Sequence, residues 1–185
     1  GQMELPDEAL EAYLRTLQAA GLAEDFENNW IRFNELEGRL LEAYESFVNS
    51  NHCGHAITLA NALWPTFPKW RALKLKADAQ AAWAKQMLSD ASRRPESEAD
   101  PILRRAREQM RSAGESFSKL ARRRLATRDY TEHVWQSAEN YLNGRDYENA
   151  IRMYREYLKN ESRHRNARAL VGLSEAQLAT KQIDN

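Results

Sequence analysis

The densest group of reactive side chains in the sequence is His52-Cys53-Gly54-His55. Thiolate and imidazole are ligands that suit zinc or copper, and a cysteine paired with a histidine is a possible nucleophile. Structural zinc usually takes four ligands at wider spacing, and three residues this close cannot easily converge on one ion. A nucleophilic pair would also need an orienting third group, and nothing beyond proximity lowers the thiol pKa. We therefore interpret the segment as a polar turn with a semi-buried cysteine, and we predict no metal and no cofactor.

Motifs of other reaction classes are missing from the sequence. It contains no glycine-rich phosphate loop, no serine nucleophile elbow and no helical His-Glu-x-x-His pair. Carboxylates are plentiful, but they fall on the polar faces of predicted helices, and no pair stands out as an acid and a base. The sequence therefore argues against an enzyme.

The elements that carry these residues are predicted to be helices throughout. Apolar residues make up 42% of the chain, Gly and Pro number only 7 and 5, and no long stretch alternates apolar with polar residues. Apolar positions at helical spacing predict helices at about 6–21, 24–49, 55–63 and 70–88. We assign residues 1–88 to N-terminal helical hairpins and 89–100 to a polar loop.

A long helix is predicted over residues 101–128, beginning at Asp100-Pro101, where a capping acid precedes a proline. Its apolar positions form a narrow seam, which is too short for a free coiled coil and which we expect to pack on neighbouring helices. The seam consists of Leu103, Ala106, Met110, Ala113, Phe117 and Leu120.

Charge is unevenly distributed although the net charge is zero. Residues 1–50 carry 11 acidic and 3 basic side chains, whereas residues 101–128 carry 9 basic and 2 acidic ones. The arginines that could contact phosphates are Arg104, Arg105, Arg107, Arg111, Arg122, Arg123 and Arg124. Few aromatic residues are interleaved with them, so base stacking has little support. We favour a solvated face, or a patch for an acidic protein or for residues 1–50, over nucleic-acid binding.

The most informative segment of the chain is residues 134–151. An aromatic, Tyr141, precedes the polar turn 143–146, and the small residue Ala150 opens the next apolar run. A small side chain lets one helix backbone approach another, and aromatic side chains fill the space beside it. This pattern resembles the helix-turn-helix unit of the tetratricopeptide (TPR) family, whose period is about 34 residues.

Individual positions of residues 129–185 carry the resemblance. Ala138 and Ala150 match the small eighth and twentieth residues of the family, and Tyr154 matches the aromatic twenty-fourth. Tyr157 departs from the alanine that is usual at the twenty-seventh. Leu170, Leu173 and Leu178 repeat the first-helix pattern of a further unit. A weaker, degenerate unit lies earlier, where Phe47 stands nine residues before Ala56, as Tyr141 does before Ala150.

The resemblance implies an all-α fold of antiparallel helical hairpins stacked as a TPR-like α-solenoid. It also implies a non-catalytic scaffold that binds a peptide or a partner domain, with the first helix of each hairpin facing the ligand. The partner-binding residues expected on that basis are Glu139, Asn140, Asn143, Arg168, Ser174 and Gln177. Two alternatives stay open: nucleic-acid binding through residues 101–128, and self-assembly in which the seam and the last repeat meet copies of themselves.

The sequence leaves the compartment open between cytoplasm and bacterial periplasm. The single cysteine excludes an internal disulfide framework, and no stretch approaches the length of a membrane span. Residues 182–185 resemble the turn inside another hairpin, so we expect the chain to be a fragment of a longer protein.

Overall fold

The computed structural model describes residues 6–21, 32–64, 66–125, 127–161 and 165–183. In chain order the helices are α1 (Pro6–Gly21), α2 (Phe33–Asn49), α3 (Cys53–Ala62), α4 (Lys69–Ala91), α5 (Glu96–Arg123), α6 (Tyr130–Asn143), α7 (Tyr147–Asn160) and α8 (Asn166–Ile183). The described residues contain no β-strand, so the all-α prediction is confirmed. Within these residues, no helix is both long enough and apolar enough to cross a membrane. The chain divides into two units, Gly1–Ala82 and Trp83–Asn185.

In the first unit, α3 contacts both α1 and α2. Ala56 and Ala60 of α3 are fully buried, and their small side chains allow the neighbouring helices to approach closely. The Tyr44 hydroxyl donates a hydrogen bond of 2.7 Å to the Leu75 carbonyl oxygen and so joins α2 to α4. Burial raises the pKa of Tyr44 well above its ordinary value. An ion pair between Glu37 and Arg71 joins the same two helices.

The predicted second helix agrees with α2 at its end and along its buried stripe. Leu36, Leu40, Ala43 and Phe47 are all buried. The structure begins α2 at Phe33, whose side chain is exposed although its spacing from Leu36 and Leu40 is helical. The predicted start near residue 24 lies outside the described residues.

The polar loop predicted at 89–100 is wrong. Helix α4 continues to Ala91 and α5 begins at Glu96, so the connection is only residues 92–95. The polar residues of this stretch lie at the helix ends and in this short connection. The acids Glu96 and Glu98 fall in the first turn of α5, where the helix dipole favours negative charge. Pro101 lies inside α5 rather than at its start, and α5 ends at Arg123 rather than at 128.

In the second unit, consecutive helices from α5 to α8 pack on one another. Helices α5 and α6 approach closely because Gly114 has no side chain: a Cβ atom there would lie 2.9 Å from Cγ of Tyr141. The Ser137 hydroxyl donates a hydrogen bond of 2.7 Å to the Gly114 carbonyl oxygen at the same contact. Except for the half-buried Leu103, the predicted seam of α5 is buried within the chain. The seam is therefore covered within the chain, as expected for packing on neighbouring helices. Self-assembly stays a prediction.

The α6–α7 hairpin has the packing that its sequence predicts. Ala138 and Ala150 are fully buried, as a close approach of the two helices requires. The indole of Trp135 contacts the rings of Tyr154 and Tyr157, with centroids 6.0 and 5.1 Å apart. Asp146 caps α7 by accepting a hydrogen bond from a backbone N–H of its first turn.

Candidate protein-binding site

Helix α8 carries apolar residues on two opposite sides. One side packs on α7, where Ala169, Gly172 and Ala176 are buried. The other side has Leu170, Val171 and Leu178 exposed by 52%, 57% and 62%. These three residues and Ser174 recur at the spacing of one helix face, which we call the open face of α8. The open face is the largest run of exposed aliphatic side chains on any helix of the described residues.

The position of α8 is fixed by small residues and by a tyrosine. A Cβ atom on Gly172 would lie 2.5 Å from the hydroxyl oxygen of Tyr154, so glycine is required for the contact. The Tyr154 hydroxyl donates a 2.6 Å hydrogen bond to Glu139 on α6. Burial, reinforced by this bond to a carboxylate, raises the pKa of Tyr154 well above its ordinary value.

The structure brings together two of the predicted partner-binding residues. A carboxylate oxygen of Glu139 lies 2.5 Å from the guanidinium of Arg168, which joins α6 to α8. Arg168 also lies over the Trp135 ring, 5.5 Å from its centroid. A parallel arrangement places Arg165 5.3 Å from the same centroid and pairs it with Glu132 at 2.8 Å. The charges on this side of α6 and α8 therefore serve contacts within the chain.

The other four predicted residues do not join that cluster. The Asn140 side chain donates to the Gln136 carbonyl oxygen at 2.8 Å, and the Ser174 hydroxyl donates to that of Leu170 at 2.9 Å. Asn143 is exposed at the end of α6, and Gln177 is half-buried on α8. Only Ser174 lies on the open face of α8. The role of all six residues in partner binding stays a prediction.

A second feature is a cleft between α5 and α7, with α6 as its floor. Its polar part has a volume of about 490 Å³ and is lined by Arg111, Arg122, Asp146 and Arg152 among others. Its apolar part, about 240 Å³, lies beside Leu125, Val134 and Met153. Ser118, Arg122 and Arg152 line both parts, so the two are continuous. We call the whole the α5/α7 cleft.

The arginines of the predicted basic patch make different contacts. Arg105 lies over the ring of Trp83, 4.9 Å from its centroid, and Arg124 forms a 3.0 Å ion pair with Asp129. Arg122 lines the α5/α7 cleft, whereas Arg104 and Arg123 are exposed and line neither part of it. Arg107 is half-buried beside the α6–α7 turn. The arginines of residues 101–128 are thus distributed among separate environments.

The His52–His55 segment is the start of α3, with a short turn before it. Cys53 is the first residue of α3 and is only 2% exposed, so the predicted semi-buried cysteine is in fact buried. Burial raises the pKa of its thiol. The Nε2 atom of His55 lies 2.8 Å from a carboxylate oxygen of Asp7 on α1. Among the described residues, no group of three or more His, Cys, Asp and Glu is placed to hold a metal ion.

The sequence pattern predicts some of the apolar residues on the open face of α8, but it does not predict that they are exposed. Leu170 and Leu178 were recognised as apolar positions of a first helix, whereas Val171 was not. The available signal was that apolar residues occur on two opposite sides of α8, whereas a helix covered on one side has a single apolar stripe. Arg152 and Leu125 of the α5/α7 cleft gave no signal in the sequence.

Comparison with protein-family models, with curated proteins and with solved structures finds no match to this chain.

Proposed function

We propose that this chain is a non-catalytic protein-interaction scaffold of the TPR kind, and that it binds an α-helix of a partner protein on the open face of α8. Helices α5 to α8 would then be part of a stacked helical-repeat array. Stacking of consecutive helices in the second unit supports this, as do the fully buried Ala138 and Ala150 at the two small-residue positions of the family pattern.

The observation that carries the proposal is the exposure of Leu170, Val171 and Leu178 on one face of α8. Each exposed aliphatic side chain contributes about 1 kcal/mol or more when a partner covers it. Together they favour a partner that removes the whole face from water. An α-helix fits, because α7 already packs along the opposite side of α8 and a helix on the open face would continue the same layering.

A non-catalytic role is supported by the state of the most reactive side chain. Cys53 is buried, and its raised pKa keeps the thiol protonated near neutral pH. His55, its neighbour, contacts Asp7 and the ring of Phe47. Neither residue is among those that line the α5/α7 cleft or form the open face of α8, so these surfaces are better suited to recognition than to reaction.

Site-specific photo-crosslinking tests where a partner binds. A photoreactive phenylalanine derivative replaces Ser174, in the middle of the open face, and in a second protein it replaces the exposed Arg155 of α7. We expect a partner crosslinked in cells at position 174 and not at 155. Mass spectrometry of the crosslinked peptide should place the contact in an amphipathic helical segment of that partner.

Calorimetry with the crosslinked segment as a purified peptide then tests the apolar contact. The pair Leu170→Ser and Leu178→Ser should weaken its binding about tenfold or more. The control Leu88→Ser, an exposed leucine of α4, should leave affinity unchanged. Equal weakening in the control, or no product at position 174, would overturn the proposal. A crosslinked product made of two copies of this chain would instead indicate self-assembly through α8.

A further inference from the structure

The α5/α7 cleft presents two arginines, one from each of its walls. Arg122 comes from α5 and Arg152 from α7, and both line the polar and the apolar part of the cleft. No carboxylate among the described residues pairs with either guanidinium. Arg152 donates a hydrogen bond to the side-chain oxygen of Asn149 at 2.7 Å, which leaves its charge unneutralised. The junction of the two parts is therefore a place of uncompensated positive charge.

Three of the four carboxylates that line the cleft are already used within the chain, the exception being Glu108. Glu115 pairs with Lys119 at 2.6 Å, and Asp146 accepts two hydrogen bonds from Asn149 as the cap of α7. Glu156 accepts a 2.7 Å hydrogen bond from the Tyr130 hydroxyl. These carboxylates are engaged elsewhere, so an anion from outside could pair with the two arginines.

Beside the arginines the cleft becomes apolar. Leu125 is 66% exposed at this end, and Val134 and Met153 form the buried surface behind it. A ligand held by Arg122 and Arg152 would thus have an apolar neighbour within one or two residues of its carboxylate. Peptide segments of proteins can carry an acidic side chain next to an apolar one, and so they match this surface.

We propose that the α5/α7 cleft binds an acidic segment of a partner protein. The segment places an Asp or Glu carboxylate between Arg122 and Arg152 and a neighbouring apolar side chain against Leu125 and Met153. This inference concerns α5 and α7 and does not depend on the open face of α8, so either proposal can fail without the other.

A protein segment fits this cleft better than a nucleic acid does. Besides its four basic residues, the polar part is lined by Glu108, Glu115 and Asp146, which would repel a continuous phosphate backbone. Tyr141, the aromatic residue of its floor, is buried and offers no open ring face for a base. A single carboxylate between two arginines avoids both difficulties.

Selection from a displayed random dodecapeptide library tests the proposal with the whole chain as bait. We expect the selected peptides to be enriched in an Asp or Glu next to an apolar residue. Synthetic peptides from the selection should bind the variant Arg122→Ala/Arg152→Ala at least about tenfold more weakly than the unsubstituted protein. Replacement of the acidic residue by its amide should weaken binding similarly.

The matched control is Arg123→Ala/Arg155→Ala, which removes the same charge from exposed positions of the same two helices outside the cleft. The affinity of this control variant for the peptides should stay within about twofold of that of the unsubstituted protein, because screened surface charges contribute little to binding. Equal weakening in both double variants, or selected peptides without acidic residues, would overturn the proposal. So would a selection that enriches no peptide, or displacement of the peptides by a 20-nucleotide oligo(dT) at physiological salt.

Discussion

The ring of Tyr154 lies directly against the backbone of Gly172, with no room between them for a methyl group. A Cβ atom at position 172 would stand 2.5 Å from both Cζ and the hydroxyl oxygen of Tyr154. That oxygen is held by its hydrogen bond to Glu139, which in turn contacts Arg168. The contact therefore fixes how closely α8 packs on α7, and so where the open face of α8 points.

We expect Gly172→Ala to lower the free energy of unfolding by about 1–3 kcal/mol, because the added methyl group must displace a tyrosine held on its far side. Urea denaturation followed by circular dichroism measures this. The control is Gly38→Ala in α2, where a Cβ atom would meet nothing within 4 Å. It should stabilise by about 0.5–1 kcal/mol, since alanine favours helix more than glycine does. A stabilising Gly172→Ala would contradict the packing described.

The α6–α7 turn contains a second glycine, Gly144. A glycine in a turn usually adopts a positive φ, but this one does not. Gly144 has a helical φ of −77°, whereas the next residue, Arg145, has a φ of 58°. A Cβ atom on Gly144 would lie 3.0 Å from the backbone nitrogen of Arg111. The glycine is thus required for close approach to α5, and an arginine occupies the left-handed position that usually favours glycine.

Two substitutions should therefore have opposite effects. Gly144→Ala should lower the free energy of unfolding by about 1–3 kcal/mol, because it collides with backbone atoms that cannot rotate away. Arg145→Gly should raise it by up to about 1 kcal/mol, because glycine adopts a positive φ without strain. Both are measured by urea denaturation. If Gly144→Ala were harmless and Arg145→Gly harmful, the assignment of the two roles would be reversed.

Helical periodicity was sufficient to predict most elements of the fold. The spacing of Ala106, Met110, Ala113, Phe117 and Leu120 predicted a buried seam, and those residues are buried. Polarity was a poorer guide, because charged residues at helix ends resemble those of a loop. The helical end of α4 and the first turn of α5 were missed for this reason.

The open face of α8 was harder to predict, because its exposure depends on which helices pack beside α8. Periodicity shows that α8 is apolar on two sides, but not which side α7 covers. Glu139 and Arg168 were predicted on the first helices of two successive units, and the structure places them on α6 and α8. They pair because the two side chains are long enough to meet between α6 and α8. The spacing of residues along one helix cannot predict such a contact. The α5/α7 cleft likewise joins residues about 30 positions apart in the chain.

Stability should fall above pH 10 because several tyrosines resist ionisation in the folded state. Burial, together with a hydrogen bond to Glu156, raises the pKa of Tyr130 to about 12. Burial also raises the pKa of Tyr141 and Tyr157. An unfolded tyrosine ionises near pH 10, so between about pH 10 and 12 the unfolded chain releases protons that the folded chain retains. The stabilisation is complete below pH 10 and is lost as the pH rises through 12.

Urea denaturation near pH 8 and near pH 11 measures this loss, and absorbance at about 295 nm follows phenolate formation. We expect a lower free energy of unfolding at the higher pH, and delayed phenolate formation in the folded protein. Tyr130→Phe should reduce the difference between the two pH values. Equal stability at both, or complete phenolate formation near pH 10 before unfolding, would contradict the burial of these rings.

The thiol of Cys53 should be unreactive until the first unit opens. A cysteine at the first residue of a helix is often acidic, because the helix dipole stabilises the thiolate. Here burial outweighs that effect and raises the pKa of the thiol, which is only 2% exposed.

We expect reaction with a disulfide reagent near pH 7.5 to be limited by unfolding and to become complete within seconds in concentrated guanidinium. Cys53→Ala, which removes the only thiol, supplies the blank. Rapid reaction of the folded protein would instead indicate an accessible thiolate, and the interpretation of His52–His55 as a structural helix start would have to be abandoned.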